Sequence, residues 1–263
     1  MKAIMKYPGS KWGLAKWIID FFPDHHSYLE PFFGSGAVLF NKPPSHIETV
    51  NDLDGMVINL FEWIKKDPEK LAHEIYYTPY ARQVYEDAFP VVPESSLEKA
   101  VNFYIRLNMG HGFRTNGTKV GWKNDVQGRE RAYAAKDWCE LPGRIMQAAE
   151  RLRGVQIENQ SAMELIPRFN FSNVLIYADP PYVLKTRQGK QYQCELSEEE
   201  HEELLEVLLC HKGSVVLSGY ENDLYHNRLK GWYREERITY TQAVSKRKEV
   251  VWMNFEPMRQ LSF

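Results

Sequence analysis

The residues of this chain best suited to chemistry are Asp179-Pro180-Pro181-Tyr182, which stand directly after the apolar run Val174-Leu175-Ile176-Tyr177-Ala178. Two consecutive prolines cannot donate to a sheet and hold the backbone extended, so a strand must end there. Asp179 and Tyr182 then leave its C-terminal edge in a fixed relation. In open α/β sheets that edge is where ligands bind. A carboxylate there can accept hydrogen bonds, and a ring beside it can stack on a planar ligand. The plainer alternative is a Pro-Pro strand stop whose aspartate caps something nearby.

A second group lies upstream. Gly34 and Gly36 follow a short apolar strand, Tyr28-Leu29, at a point where backbone has to come close to a ligand. Asp52 stands eighteen residues after Gly34, at the end of the next strand. An acid in that place accepts hydrogen bonds from ribose hydroxyls. A dinucleotide fingerprint would want a third glycine where Leu39 stands, and no Walker lysine follows. A nucleoside cofactor without phosphates, such as S-adenosylmethionine, fits this loop better than a dinucleotide. Two glycines alone also fit an ordinary tight turn.

The elements that must position these groups alternate. Strands are expected at Tyr28-Leu29, Ile47 to Val50, Gly154 to Glu158, Val174 to Ala178 and Ser214 to Leu217. Tyr233 to Tyr240 and Glu249 to Phe255 form a terminal hairpin whose turn contains Ser245-Lys246-Arg247-Lys248. Helices are expected over residues 11 to 22, from the glycine loop onward, from about Met56 to Lys65, and from the Ser197/Glu200 capping box to about Leu209. This order predicts a Rossmann-like, doubly wound α/β fold whose sheet is mostly parallel and ends in an antiparallel hairpin. Roughly a hundred residues separate the second and third strands, too many for a loop in a compact domain. They predict an inserted, mostly helical subdomain over residues 55–153, between catalytic-domain segments 1–54 and 154–263.

Bulk composition narrows the class. The chain has 263 residues, 43% hydrophobic and 26% charged, with a formal net charge of −2. It is no polycation, so any nucleic-acid contact must gather its positive charge on one face. Cys139, Cys194 and Cys210 make neither a CxxC pair nor a metal-ligand spacing, and His25, His26 and His111 have no metal-like partners. A reduced, cytoplasmic protein without a metal is expected. No apolar run approaches membrane-spanning length.

Glu30-Pro31-Phe32-Phe33-Gly34-Ser35-Gly36, Asn51-Asp52-Leu53-Asp54 and Asp179-Pro180-Pro181-Tyr182, in that order, resemble the motifs of the Dam-like, D12-class DNA adenine-N6 methylases. Lys6-Tyr7-Pro8-Gly9-Ser10-Lys11 is similar to the N-terminal motif of that family, with Tyr7 where many members carry Trp. The resemblance implies S-adenosylmethionine as methyl donor and double-stranded DNA as partner. It is also compatible with a cognate restriction endonuclease acting beside the enzyme. It implies that Tyr7, Lys11, Phe32, Gly34, Gly36, Asp52 and Asp179 contact the cofactor. Asp179, Pro180 and Tyr182 would then act on an adenine flipped out of the duplex.

The insert carries a glycine-rich basic stretch. Between Arg106 and Arg131 stand six Arg or Lys residues with Gly110, Gly112, Gly117, Gly121 and Gly128, plus Phe113 and Trp122. That composition suits an element that reads a groove, and equally a solvated loop. Gly112-Phe113-Arg114-Thr115-Asn116 is similar to the G-x-R-x-N stretch of the family, while the continuation to Gly128 departs from its N-x-P-x-G form. Arg114, Asn116, Lys119 and Lys123 are the candidate DNA contacts here. Lys185 and Arg187 after the tetrapeptide, and Lys246, Arg247 and Lys248 in the hairpin, are the others. N4-cytosine or RNA amino-methylation, and a catalytically silent DNA-binding module on the same fold, are the competing readings. Asp in the first position of the tetrapeptide favours adenine in DNA, and an intact catalytic set disfavours a silent module.

Overall fold

The computed structural model describes residues 1–263 apart from 90–94, 113, 125, 127–133, 187–188, 241–245 and 258–263, and apart from the side chains at 186, 239, 240, 246 and 247. Phe113, Gly128, Arg131, Arg187 and Ser245 therefore lie outside the described residues.

Seven strands form one sheet: β1 Ser27–Glu30, β2 Ile47–Asn51, β3 Val155–Glu158, β4 Val174–Ala178, β5 Ser214–Tyr220, β6 Tyr233–Tyr240 and β7 Lys246–Met253. Their spatial order is β3-β2-β1-β4-β5-β7-β6. The first five run parallel, while β7 is antiparallel to both β5 and β6. The order reverses between β1 and β4, which leaves a crevice at the C-terminal ends of those strands. The chain is thus Rossmann-like, mostly parallel, with an antiparallel end.

Strand alternation builds two cores. Tyr28, Leu175, Tyr177, Val216, Val251 and Met253 point to one face and join a cluster with α1 Ala15–Ile19, α2 Gly55–Lys66, α3 Pro68–Tyr77, α4 Arg82–Asp87, α5 Ser96–Met109 and α6 Ala134–Leu152. Leu29, Ile176, Ala178, Val215, Leu217, Val250 and Trp252 point to the other face. There they pack with α7 Ala162–Leu165, α8 Glu198–Leu209 and α9 Asp223–Arg228. The helices between β2 and β3 therefore share a core with the sheet.

Two expected helices differ. Over residues 11–22 only Ala15–Ile19 is α-helical; Lys11 lies in the preceding turn, where Leu14 N donates to its carbonyl. After Gly36 the chain makes turns instead of a helix, with Phe40 N donating to Gly36 O and Lys42 N to Val38 O. Pro43 and Pro44 stop that segment before a helix can propagate. Lys246, Arg247 and Lys248 are also displaced from expectation, since they begin β7 opposite Tyr240, Thr239 and Ile238 and do not lie in the hairpin turn.

The capping box is present as expected: Ser197 Oγ accepts from Glu200 N, and the Glu200 carboxylate accepts from Ser197 N. A buried ion cluster ties β2 to α6. Glu48, 4% exposed, accepts from Lys42 Nζ at 2.5 Å and from both terminal nitrogens of Arg151 at 2.5 and 2.8 Å. Removing the carboxylate strands two cations near the core, so Glu48→Ala should lower the unfolding free energy by about 3 kcal/mol, read from urea denaturation.

Candidate active site

The C-terminal edge of the parallel strands opens into a cleft of about 690 Å³. Tyr7, Lys11, Phe32, Gly34, Asp52 and Asp179 all line it. They come from the N-terminal turn, the loop after β1, the end of β2 and the end of β4. The parallel order β2-β1-β4 sets these strand ends side by side.

The loop after β1 is shaped for close approach. Gly34 has φ +48, and a Cβ there would stand 2.8 Å from the Tyr7 ring. Its N–H donates to Asp52 Oδ2 at 2.8 Å, and Asp54 N donates to Oδ1 at 2.9 Å. Gly36, with φ +66, packs against Phe33 and Phe40, so it shapes the loop from behind and does not face the cleft. Burial pushes the Asp52 carboxyl up to about 7, against the pull of the two amide donors. Glu30 also lines the cleft, 2% exposed, and accepts from Tyr28 Oη at 2.8 Å. Burial pushes it up to about 8; the Tyr28 bond opposes this and the nearby Asp179 charge adds to it.

Lys11 is the hub of the second half of the site. It is 5% exposed, and its Nζ lies 3.0 Å from Asp179 Oδ1 and 3.5 Å from Glu249 Oε1. The same ammonium donates to Gly9 O at 2.9 Å and sits 4.6 Å from the Tyr182 ring centroid. Burial by itself would lower its pKa, but Asp179 and Glu249 outweigh that and hold it above the ordinary lysine value. Asp179 Oδ1 also accepts from Ser218 Oγ at 2.8 Å, and Ser218 in turn meets Tyr177 Oη at 3.1 Å. Among the described residues no hydrogen bond reaches Asp179 Oδ2. Pro180 is buried at the strand end, Pro181 lines the cleft, and Tyr182, half-buried just beyond, donates its hydroxyl to Glu249.

The basic candidates are more scattered. Thr115 N donates to Gln191 O at 3.0 Å, Gln193 N to Thr115 Oγ1 at 2.9 Å, and Asn116 Nδ2 to Lys190 O at 3.1 Å. These bonds join the insert's loop to the loop after the tetrapeptide, so exposed Arg114 and half-buried Asn116 share one rim of the cleft. Lys119 is exposed near the Phe89 ring, and Lys123 is half-buried. Lys185 pairs with Glu198 at 2.7 Å, and Lys248 with Glu236 at 2.8 Å. Lys246 and Arg247 begin β7, and their side chains are not described.

Two residues of the cluster escaped the sequence reading, Glu249 and Ser218; the cleft is also lined by Glu30, which opens the glycine-loop motif, and by Tyr192, which packs on Tyr7 at 6.0 Å between centroids. One signal was present for Glu249. It shares the period-2 face of Val251 and Met253, so an acid occupies the core side of a strand.

A model of the D12 class N6 adenine-specific DNA methyltransferase family matches residues 7–246. The chain belongs to this family. Two curated relatives, both DNA adenine methylases from strains of Vibrio cholerae serotype O1, are 24% identical over 188 residues, which is 69% of this chain and 65% of theirs. The chain thus spans about 65% of the length of these relatives. Among solved structures, SMU.472, described as a candidate methyltransferase complexed with SAH, aligns over 98% of this chain and 55% of its own at 14% identity and TM-score 0.41. HI0767 of Haemophilus influenzae, described as a candidate methylase, aligns over 96% and 92% at 10% identity and TM-score 0.36. The fold assignment rests on strand order.

Glu30 keeps its proton to about pH 8 when folded but ionises near 4.5 when unfolded. Between those values the native state binds more protons, so stability falls as pH rises through that window. Asp52 adds the same sign between 3.8 and about 7. Glu30→Gln should therefore reduce the slope of unfolding free energy against pH without abolishing it, measured by urea unfolding at a series of pH values across the window.

Proposed function

We propose that this protein transfers a methyl group from S-adenosylmethionine to N6 of an adenine flipped out of double-stranded DNA in the cytoplasm. One observation carries the reading. At the edge of the cleft Asp179 has one oxygen held by Lys11 and Ser218, while among the described residues its other oxygen has no donor.

The cleft suits the methyl donor. Gly34 leaves space a side chain would fill, Asp52 offers further lone pairs to ribose hydroxyls, and Tyr7 and Phe32 supply aromatic walls. Bound S-adenosylmethionine would supply an electrophilic methyl carbon on a sulfonium.

What the protein must do follows from the acceptor. The lone pair of the adenine amino group is delocalised into the ring, so the nitrogen has to be drawn toward tetrahedral geometry. Asp179 Oδ2 and the Pro180 carbonyl are the two acceptors we assign to the amino hydrogens. Lys11 fixes one oxygen of Asp179, so the carboxylate orients the amine and stabilises positive charge as it develops. The nitrogen–carbon bond forms as the carbon–sulfur bond breaks, leaving a neutral thioether, and the proton lost from nitrogen passes by way of the Asp179 carboxylate to solvent during or after transfer. Extruding the base costs a few kcal/mol, and stacking on Tyr182 offsets roughly 1–3 kcal/mol of that.

Residues 55–153 act in this reading as the target-recognition region, with 1–54 and 154–263 as the catalytic part. Arg114, Asn116, Lys119 and Lys123, with Lys185 and Arg187, are the proposed contacts to DNA, and Lys246, Arg247 and Lys248 a further set. The hydrogen bonds that join the 115–116 and 190–193 loops support a shared DNA-facing rim.

Asp179→Ala should lower methyl transfer by about a thousandfold or more while the protein remains folded by circular dichroism, with a lower thermal unfolding midpoint because Lys11 keeps only Glu249 as a partner. Transfer is measured with labelled S-adenosylmethionine and duplex DNA, and the modified base is mapped by mass spectrometry. Label on cytosine, or a variant with near-normal turnover, would overturn the assignment.

A further inference from the structure

Glu249 has no part in the family motifs, yet it touches two residues of the catalytic cluster. It is 3% exposed, receives the Tyr182 hydroxyl, and faces Lys11 Nζ at 3.5 Å. It enters from β7, where it lies directly across from Tyr220 of β5. The Tyr220 ring in turn packs on the Tyr182 ring, 4.4 Å between centroids at 67°. One antiparallel strand pair thus holds a single aromatic ring twice, by its body and by its hydroxyl.

A buried carboxylate costs several kcal/mol unless it is paired, and an apolar residue would serve the β5–β7 ladder equally well. Further along that face of β7 stand Val251 and Met253, both in the core. The carboxylate is explained by what it holds. Tyr182 follows two prolines, which fix the backbone course but leave the side chain torsions open. Without an anchor the ring could rotate away from the plane in which a base would stack.

We infer that Glu249 is a positioning residue for base capture: it anchors the Tyr182 hydroxyl and shares Lys11 with Asp179, so that the stacking ring and the amine acceptor are held in one fixed relation. This rests on the function proposed above. Lys11 lies between the two carboxylates and transmits the position of one to the other. Glu249 does not line the cofactor cleft, so its contribution falls on the base and not on the methyl donor.

The test compares wild type, Glu249→Gln and Tyr182→Phe on two duplexes, one with the target adenine paired and one with it mismatched. A mismatch lowers the cost of extrusion, so it relieves a defect in base capture but not a general structural defect. Glu249→Gln should lose about tenfold or more in kcat/KM for paired DNA, the scale of one hydrogen bond to a charged group. The loss should shrink at least about threefold on the mismatched duplex, as expected when extrusion is no longer limiting. The affinity for S-adenosylmethionine, by direct titration, should stay close to that of wild type. Tyr182→Phe keeps the ring and removes only the anchored hydroxyl, so it should show the same pattern and serve if Glu249→Gln does not fold. Either variant matching wild type on paired DNA, or losing as much on mismatched as on paired DNA, would overturn the inference. A wild-type protein that methylates neither duplex would instead overturn the proposed function.

Discussion

The Lys11 ammonium, buried between Asp179 and Glu249, is the interaction on which the site depends. Two carboxylates brought this close repel, and both lie largely out of water. Without the cation that repulsion would push the strand ends apart. With it, the ends of β4 and β7 and the N-terminal turn are drawn to one point. The same ammonium faces the Tyr182 ring and caps the Gly9 carbonyl, so one charge sets the distance between acceptor, ring and cleft wall.

That point exists because of the sheet. The reversal of strand order between β1 and β4 opens the crevice, and parallel running puts the ends of β1, β2 and β4 on the same side. The antiparallel β7 then brings the opposite kind of end to the same edge, since its first residues stand where the parallel strands finish. Glu249 reaches the site for that reason. The helices between β2 and β3 belong to the same packing unit, because their apolar faces and one face of the sheet form a single core. The loop they carry at Thr115 and Asn116 is hydrogen-bonded to the loop at Lys190 to Gln193.

Much of this architecture was legible in the chain. Alternation of apolar runs with turn residues located all seven strands, because burial of one or both faces leaves a period that does not depend on distant partners. The capping box at Ser197 was legible for a similar reason: it is satisfied within three residues. The helices expected at residues 11–22 and after Gly36 were misjudged. In the first place local propensity yields to a tertiary demand, since Lys11 is drawn into the cluster; in the second the local stop at Pro43-Pro44 ends a segment too short to propagate a helix.

Residue order alone was enough to set out the chemistry: an acid and an aromatic ring on a rigid strand end, a glycine loop, and an acid after the next strand. These are local features, and prolines and glycines write them into the backbone directly. Only the tertiary structure decided that Asp179 Oδ2 has no hydrogen-bond donor among the described residues, that Gly36 packs away from the cleft, that Lys185 and Lys248 are already paired, and that Glu249 joins the Lys11 cluster. Each of those depends on through-space contacts between residues far apart in the chain. Electrostatic and packing energies depend on distance in space, and a linear pattern does not contain it.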